Sequence, residues 1–337
     1  MFAKQTVFVI GAGAGFDYGM PMGKGLKENI ASKLGAQDDE LWQSLTPLLE
    51  LTKQGEAATY KELKKFIASN MSRAESIDNF LHTHSENPKL VAIGKTAIAS
   101  CILDAERSSS LMPHEPVRSN NLMFLSFGTA KETWLQRFCT MALTGVVLSE
   151  AHSAFDNVTL VTFNYDRCIE LYLVQHIKEY LGIPEGAAQN IVDSINIIHV
   201  YGKVGRLPWQ SGSGPKVSFG AKPEPQLLGE LSREIRTFTE RVEEDDTPRR
   251  IAAAICDAEL IVFSGFSFGS SNWDFLQNDQ PGAEKMVVAG VMGISVPNQG
   301  YIATRLENSL DPSRNVVVHT CEKGFLELLY DYSTFFE

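Results

Sequence analysis

The chain has 337 residues, of which 44% are hydrophobic and 21% charged, with 30 Lys and Arg against 41 Asp and Glu. This composition is typical of a globular protein, excludes an intrinsically disordered chain, and allows one large domain or two. The net charge of −11 argues against a surface dedicated to nucleic acid or acidic lipid, because such a surface needs a basic face. We therefore expect no direct contact with nucleic acid.

The cysteines and the longest apolar stretches exclude two further classes. No cysteine lies within four residues of another, so the CxxC half-site of a zinc module is missing, and an odd number of scattered thiols is typical of a reducing compartment. Phe138–Leu148 and Met286–Val296 are shorter than the roughly 18 residues that a membrane-spanning helix needs. We expect a soluble cytoplasmic protein without a metal and without membrane contact. The cysteines are Cys101, Cys139, Cys168, Cys256 and Cys321.

Six short runs of apolar and β-branched residues predict strands. They are Thr6–Ile10, Val158–Phe163, Ile195–Val200, Leu260–Ser264, Met286–Val291 and Val316–Val318. The runs are continuous rather than alternating, which is typical of strands covered on both faces. Because helical stretches separate them, the sequence predicts an α/β fold with a Rossmann-like, mostly parallel sheet of about six strands.

The interval between the first two predicted strands is mostly helical in character. A structureless loop of that length is implausible, so we predict a helical subdomain, residues 26–149, inserted into a Rossmann-like domain of residues 1–25 and 150–337. The predicted helical segments are Leu26–Leu34, Leu41–Leu51, Tyr60–Met71, Ile77–His84, Lys89–Glu106 and Lys131–Leu148.

Local signals predict three further boundaries. The Ser, Pro and Asn residues of Ser108–Asn121 indicate an exposed loop within the helical subdomain. Thr247 followed by Pro248 predicts a helix start, with Thr247 as the N-cap. Phe325–Phe336 predicts a terminal helix whose Phe and Leu side chains pack against the rest of the protein.

A glycine-rich loop, Gly11–Gly15, directly follows the first predicted strand. Glycines there allow a tight turn and a close approach of pyrophosphate to backbone N–H groups. A tight turn with no ligand explains the same glycines and stays open as an alternative. The dinucleotide fingerprint of dehydrogenases is disfavoured, because Phe16 stands where it needs glycine and neither Asp38 nor Asp39 ends a strand.

Several segments together resemble the sirtuin family. Gly11-Ala12-Gly13 followed by Gly19-Met20-Pro21 has the spacing of the GAG and GIP segments that open the family's NAD-binding fold. Val161–Asp166 resembles its T-x-N-x-D motif, and Ile198–Gly202 resembles its histidine–glycine motif. Each segment lies at the carboxyl end of a predicted parallel strand, where open α/β sheets bind ligands.

Two further segments are similar to a bacterial branch of that family. Phe263–Phe268, with Asn272, resembles the glycine–serine ribose loop in the form found in bacterial sirtuin-like NAD hydrolases. Ser76–Leu81 resembles a segment common in the same branch. The resemblance therefore extends from residue 7 to about residue 276.

The chain departs from the protein deacylases of the family in the elements that bind an acyl peptide. Gly205–Asp257 contains a single cysteine, so the four-cysteine zinc module is missing. Met22-Gly23-Lys24 replaces the DFR run, and Ala221 replaces the acid of the FGE segment. A protein deacylase is disfavoured, and an enzyme that acts on NAD itself is favoured.

The resemblance implies an NAD+ hydrolase that uses NAD as substrate and releases ADP-ribose and nicotinamide. Asn164 would position the ribose and a water, and His199 would be the general base. Tyr201 occupies the place of the family's catalytic histidine. Residues two apart in a strand share a face, so His199 can point into the same pocket, and a strand-end histidine with a purely structural role stays open as the alternative. Asp166 either orients the loop or caps the following helix.

The same resemblance assigns the contacts to NAD. The predicted cofactor-binding residues are Gly11, Ala12, Gly13 and Gly15 for the pyrophosphate, Ser267 and Asn272 for the adenosine ribose, and Asp17, Pro21, Tyr201 and Gly265 around them. A simple carboxylate at a helix start is the alternative role of Asp17.

Relatives of this kind deplete NAD in bacterial antiviral defence, which implies control of the activity. We expect a homo-oligomer or a separate sensor partner, such as a HerA-like ATPase. Three alternatives remain at this point: a subunit that binds NAD or ADP-ribose without turnover, a deacylase or ADP-ribosyltransferase, and a structural subunit.

Overall fold

The computed structural model describes residues 2–36, 40–46, 56–112, 132–237, 246–312 and 315–337. Six strands form one sheet in the order β3-β2-β1-β4-β5-β6, and all neighbours are parallel. The strands are β1 (Thr6–Ile10), β2 (Val158–Thr162), β3 (Asn196–His199), β4 (Leu260–Ser264), β5 (Lys285–Gly290) and β6 (Val316–Cys321). The predicted α/β fold with a parallel, Rossmann-like sheet is confirmed.

Thirteen α-helices flank the sheet within the described ranges. They are α1 (Gly23–Gly35), α2 (Glu40–Leu45), α3 (Glu56–Asn70), α4 (Ile77–Thr83), α5 (Pro88–Ser108), α6 (Trp134–Leu143), α7 (Cys168–Leu181), α8 (Glu185–Ser194), α9 (Pro225–Arg233), α10 (Thr247–Asp257), α11 (Ser270–Trp273), α12 (Val296–Ser309) and α13 (Phe325–Asp331). The end of the predicted helix Leu41–Leu51 and most of the predicted loop Ser108–Asn121 lie outside the described residues.

The two faces of the sheet carry two apolar layers. Val7 and Val9 of β1 point into one layer, which includes residues of α1, α3, α4 and α5. Phe8 points into the other, with residues of α6, α7 and α13, because successive side chains of a strand face opposite sides. The described helices between β1 and β2 therefore contribute apolar residues to both layers.

Helix boundaries differ from the predicted ones for local reasons. α10 includes Thr247 as its first residue, and the N-cap is Asp246, which makes no side-chain capping bond. α6 ends at Leu143, and Gly145 follows in the left-handed region with φ of +80°, a conformation that does not continue a helix. The terminal segment is α13 followed by a 3-10 helix, Ser333–Phe336.

The strand order defines one edge of the sheet as the place for a ligand. The chain reverses direction across the sheet between β1 and β4, and ligands of open α/β sheets bind in the crevice at such a switch point, outside the carboxyl ends of the strands. None of the described helices combines the length and apolar character that a bilayer crossing requires.

Candidate functional site

The loops after β1 and β4 touch through their backbones at the switch point. The N–H of Gly11 donates to the carbonyl of Ser264, and that of Gly13 to the carbonyl of Gly265, both at 3.0 Å. A Cβ on Gly11 would lie 2.3 Å from the Gly265 oxygen, and Gly265 itself has φ of +61°. Glycine is therefore required by this close approach alone, and two of the amides predicted to bind pyrophosphate already have acceptors.

The chain after β1 forms a 3-10 helix, Ala12–Tyr18, which ends at Gly19, and α1 begins only at Gly23. The glycine-rich loop thus leads into a short 3-10 helix instead of directly into a long α-helix. Ala12 is the first residue of this helix, where a backbone N–H has no partner in the helix's own hydrogen-bond ladder. Asp17 is exposed, and Pro21 is half-buried.

Asn164 follows β2 and reaches across to the glycine loop. Its Nδ2 donates to the carbonyl of Gly11 at 3.3 Å, and its own N–H donates to Thr162 Oγ1 at 3.1 Å. The side-chain oxygen Oδ1 is buried and accepts from none of the described residues. Since buried carbonyl oxygens normally accept a hydrogen bond, this oxygen marks a place for an N–H or O–H donor.

His199, the last residue of β3, lies between Asn164 and α7. Its Nδ1 is 3.0 Å from the carbonyl oxygen of Asn164, and its Nε2 is 3.1 Å from Glu170 Oε1. Lys203 Nζ donates to the same carboxylate oxygen at 2.7 Å. Burial would raise the pKa of Glu170, but the charges of Lys203 and His199 outweigh it and hold that pKa well below its ordinary value.

These contacts occupy both nitrogens of the imidazole, so action of His199 as the predicted general base requires it to exchange one of them. Both of its partners are hydrogen-bond acceptors, whereas a neutral imidazole carries a single N–H. Both ring nitrogens therefore face these two acceptors, and the contact at Nδ1 holds the backbone carbonyl of Asn164.

Tyr201 lies among different neighbours from His199. Its hydroxyl donates to Asn272 Oδ1 at 2.6 Å, and its ring packs against Phe163 and Phe275 with centroids 5.8 and 5.7 Å away. The physical reason is that β3 ends at His199 and the chain turns, so the two-residue periodicity of a strand no longer relates the two side chains.

Asp166 lies one residue before Arg167, the N-cap of α7, and its side chain satisfies the first N–H of that helix. Its Oδ1 accepts a hydrogen bond from the N–H of Cys168 at 3.1 Å, and the side chain is buried. Burial raises the pKa of this carboxyl. The sequence left two roles open for Asp166, orienting the loop or capping the helix, and this hydrogen bond corresponds to the capping role.

The loop after β4 holds an unusual backbone conformation. Phe268 has φ of +55°, the one described residue other than glycine with a positive φ. Bulky residues rarely adopt this region, and the strain persists only where packing imposes it; the Phe268 ring is buried against Phe266 and Phe263 at centroid distances of 5.1 and 5.5 Å. The neighbouring Ser267 is exposed.

The structure thus gathers the predicted residues of four loops at one edge. Sequence analysis gave no role to the residues behind them, because their contacts join segments that are far apart in the chain. They are Asp78, Glu106, Arg167, Glu170 and Lys203.

The fold and the site define a Rossmann-like α/β protein with polar loops at the β1/β4 switch point. Within the described ranges, no three His, Cys, Asp or Glu side chains are grouped as metal ligands would be. No protein-family model matches the chain, and no curated protein matches it significantly.

Proposed function

We propose that the chain binds NAD+ at the carboxyl edge of β1 to β4 and hydrolyses its nicotinamide–ribose bond. The observation that carries the proposal is the Asn164 carboxamide, whose buried Oδ1 has no donor among the described residues at the edge where the sirtuin-like loops meet. Two further contacts join these loops, from Gly13 to Gly265 at 3.0 Å and from Tyr201 to Asn272 at 2.6 Å.

The chemistry requires a donor–acceptor group beside the breaking bond. As the C1′–nitrogen bond breaks, its electron pair passes to the ring nitrogen, nicotinamide leaves, and water adds to C1′ to give ADP-ribose and one proton. Asn164 Oδ1 can accept a hydrogen bond from a ribose hydroxyl or from that water without bringing a charge. His199 contributes by holding the Asn164 carbonyl, and Glu170 by holding His199.

The test measures the release of nicotinamide from NAD+ by chromatography. We expect Asn164→Ala to lower the rate at least about 100-fold, because the variant lacks the carboxamide that orients the reacting atoms. Asn308→Ala, which makes the same change on the exposed side of α12, is the matched control and should keep the parent rate. Equal rates for the parent and Asn164→Ala would refute the proposal.

Other outcomes identify the alternatives. A rise of the melting temperature with NAD+ but no nicotinamide release would indicate a nucleotide-binding subunit, since a ligand of the folded state stabilises it in proportion to the logarithm of its concentration. Cleavage that depends on an acceptor protein and labels it would indicate a transferase or deacylase. No thermal shift at all would indicate a structural subunit.

The setting that we propose is the bacterial cytoplasm, with the enzyme held in a homo-oligomer or beside a separate sensor such as a HerA-like ATPase. Free NAD+ hydrolysis is toxic to a cell, which supports control through assembly. Light scattering on the purified chain and cell NAD+ measured with and without a co-expressed partner, before and after phage infection, test this setting and the role in antiviral defence.

A further inference from the structure

Asp78, in the first turn of α4, contacts the loop that carries Asn164. Its carboxylate accepts a hydrogen bond from the hydroxyl of Tyr165, the residue directly after Asn164. The position of Asp78 is fixed locally, because Ser76 Oγ accepts from the N–H of Asn79 at 3.0 Å and caps the helix. The segment Ser76–Leu81, which has no role in the function proposed above, thus reaches the candidate site.

The start of α4 also lies against the loop after β4. A Cβ on Gly269 would lie 3.8 Å from Glu75 Oε1. Lys27 Nζ donates to the carbonyl oxygens of Ala74 and Glu75, the latter at 3.1 Å, and so anchors this segment to α1. The start of α4 and the residues just before it therefore contact both the loop after β2, through Asp78, and the loop after β4, through Glu75.

The other acid–base groups next to Asn164 already make hydrogen bonds within the protein. His199 faces the Asn164 carbonyl and Glu170, and Asp166 caps α7. Glu170 and Asp166 are buried, whereas Asp78 is half-buried and keeps contact with solvent. Of these three residues, Asp78 is the one that is not fully buried.

We propose that Asp78 is the general base of the NAD+ cleavage, an inference that rests on the function proposed above. Water attacks C1′ as the C1′–nitrogen bond breaks, and the electron pair of that bond leaves with nicotinamide. The proton of the attacking water passes to the Asp78 carboxylate and then to solvent. Asn164 orients the water or the ribose, and Tyr165 holds the carboxylate in place.

The electrostatics of the group agree with this role. Burial raises the pKa of Asp78 above that of an ordinary aspartate, which makes the carboxylate a stronger base, and the hydrogen bond from Tyr165 opposes the rise. The titratable groups that face Asp78 are Tyr165 and Tyr201, and the pKa of Tyr201 is raised by burial and by the Asp78 charge. On its own helix, His82 lies one turn further along.

The first experiment compares kcat and KM for nicotinamide release. Asp78→Asn should lower kcat by about 100-fold or more, the usual contribution of a general base, and leave KM within about threefold. Asp193→Asn, an exposed aspartate at the end of α8, is the matched control and should keep the parent kcat. A kcat of Asp78→Asn above about a tenth of the parent value overturns the assignment.

Two further variants separate catalysis from a folding defect. Formate should restore nicotinamide release in Asp78→Ala, because it supplies the missing carboxylate. Tyr165→Phe should move the acid limb of the kcat profile to higher pH, since it removes the hydrogen bond that lowers the Asp78 pKa. Loss of NAD+ binding in Asp78→Ala without rescue by formate would make Asp78 structural and overturn the inference. If the parent itself releases no nicotinamide, the proposed function fails first and the inference fails with it.

Discussion

Glu106 and Arg167 form an ion pair in which neither side chain has any exposure to solvent. Arg167 Nε and Nη2 both donate to the carboxylate, the first at 3.0 Å, and the N–H of Gly220 donates to Glu106 Oε2 at 3.0 Å. Arg167 directly follows Asp166, so the pair connects α5 of the inserted segment to the loop that carries Asn164.

Removing one partner of this pair should destabilise the fold strongly. Burial raises the pKa of Glu106 and the Arg167 charge opposes that rise, and Glu106→Gln leaves the buried guanidinium without a counter-charge. We expect the free energy of unfolding to fall by about 3–5 kcal/mol in urea titrations. The control is Glu185→Gln in the solvent-exposed pair with Lys178, which should cost less than about 1 kcal/mol. Equal losses in the two variants would contradict the prediction.

A methyl group on Gly11 should also disrupt the fold, because the loop after β4 leaves no space for it. The added Cβ would meet the Gly265 oxygen at 2.3 Å and the Gly265 carbonyl carbon at 2.8 Å, both of which are backbone atoms that cannot rotate away. We expect Gly11→Ala to lower the free energy of unfolding by more than about 2 kcal/mol.

The matched control is Gly300→Ala, since Gly300 lies inside α12 with nothing within 4 Å of the added Cβ. Alanine should stabilise that helix by about 0.5–1 kcal/mol. A Gly11→Ala protein as stable as the parent would mean that the two loops are not in contact at the switch point.

The sequence predicts the sheet and its ligand-binding edge because both depend on local patterns. Continuous apolar runs coincide with β1 and β4 at the same bounds, and polar or glycine residues follow them directly. The contacts behind the site have no such pattern: Tyr165 and Asp78 are 87 residues apart, and Arg167 and Glu106 are 61 apart. These pairs exist only once the inserted helices have packed on the sheet.

The orientation of His199 illustrates the same limit on a smaller scale. The sequence places it two residues before Tyr201, and a strand that continued would put both side chains on one face. The end of β3 is set by its pairing with β2. The last pair joins Thr162 of β2 to His199 of β3. The position of Glu170 on the helix after β2 then determines which group the imidazole contacts.

The buried carboxylate of Glu170 should make stability depend on acid pH in a defined direction. Its folded-state pKa lies well below the ordinary 4.5, although burial alone would raise it, because Lys203 and His199 favour the ionised form. A group with a lowered folded pKa contributes its full stabilisation above its unfolded pKa and loses it as the pH falls through the folded pKa. We therefore expect the stability difference between the parent and Glu170→Gln to be constant above about pH 5.5 and to shrink below about pH 4.5.

The subtraction between parent and variant is essential, because other acids act in the opposite direction. Burial raises the pKa of Asp166 and Asp78, so each of them destabilises the fold less as the pH falls and partly hides the Glu170 effect in the parent alone. At pH 7, Glu170→Gln should cost about 3 kcal/mol, since it removes the carboxylate that Lys203 and His199 share. Urea titrations of both proteins from pH 7 to pH 3 measure the difference directly. A difference that stays constant down to pH 3, or that grows on acidification, would show that Glu170 is not held ionised by these two partners.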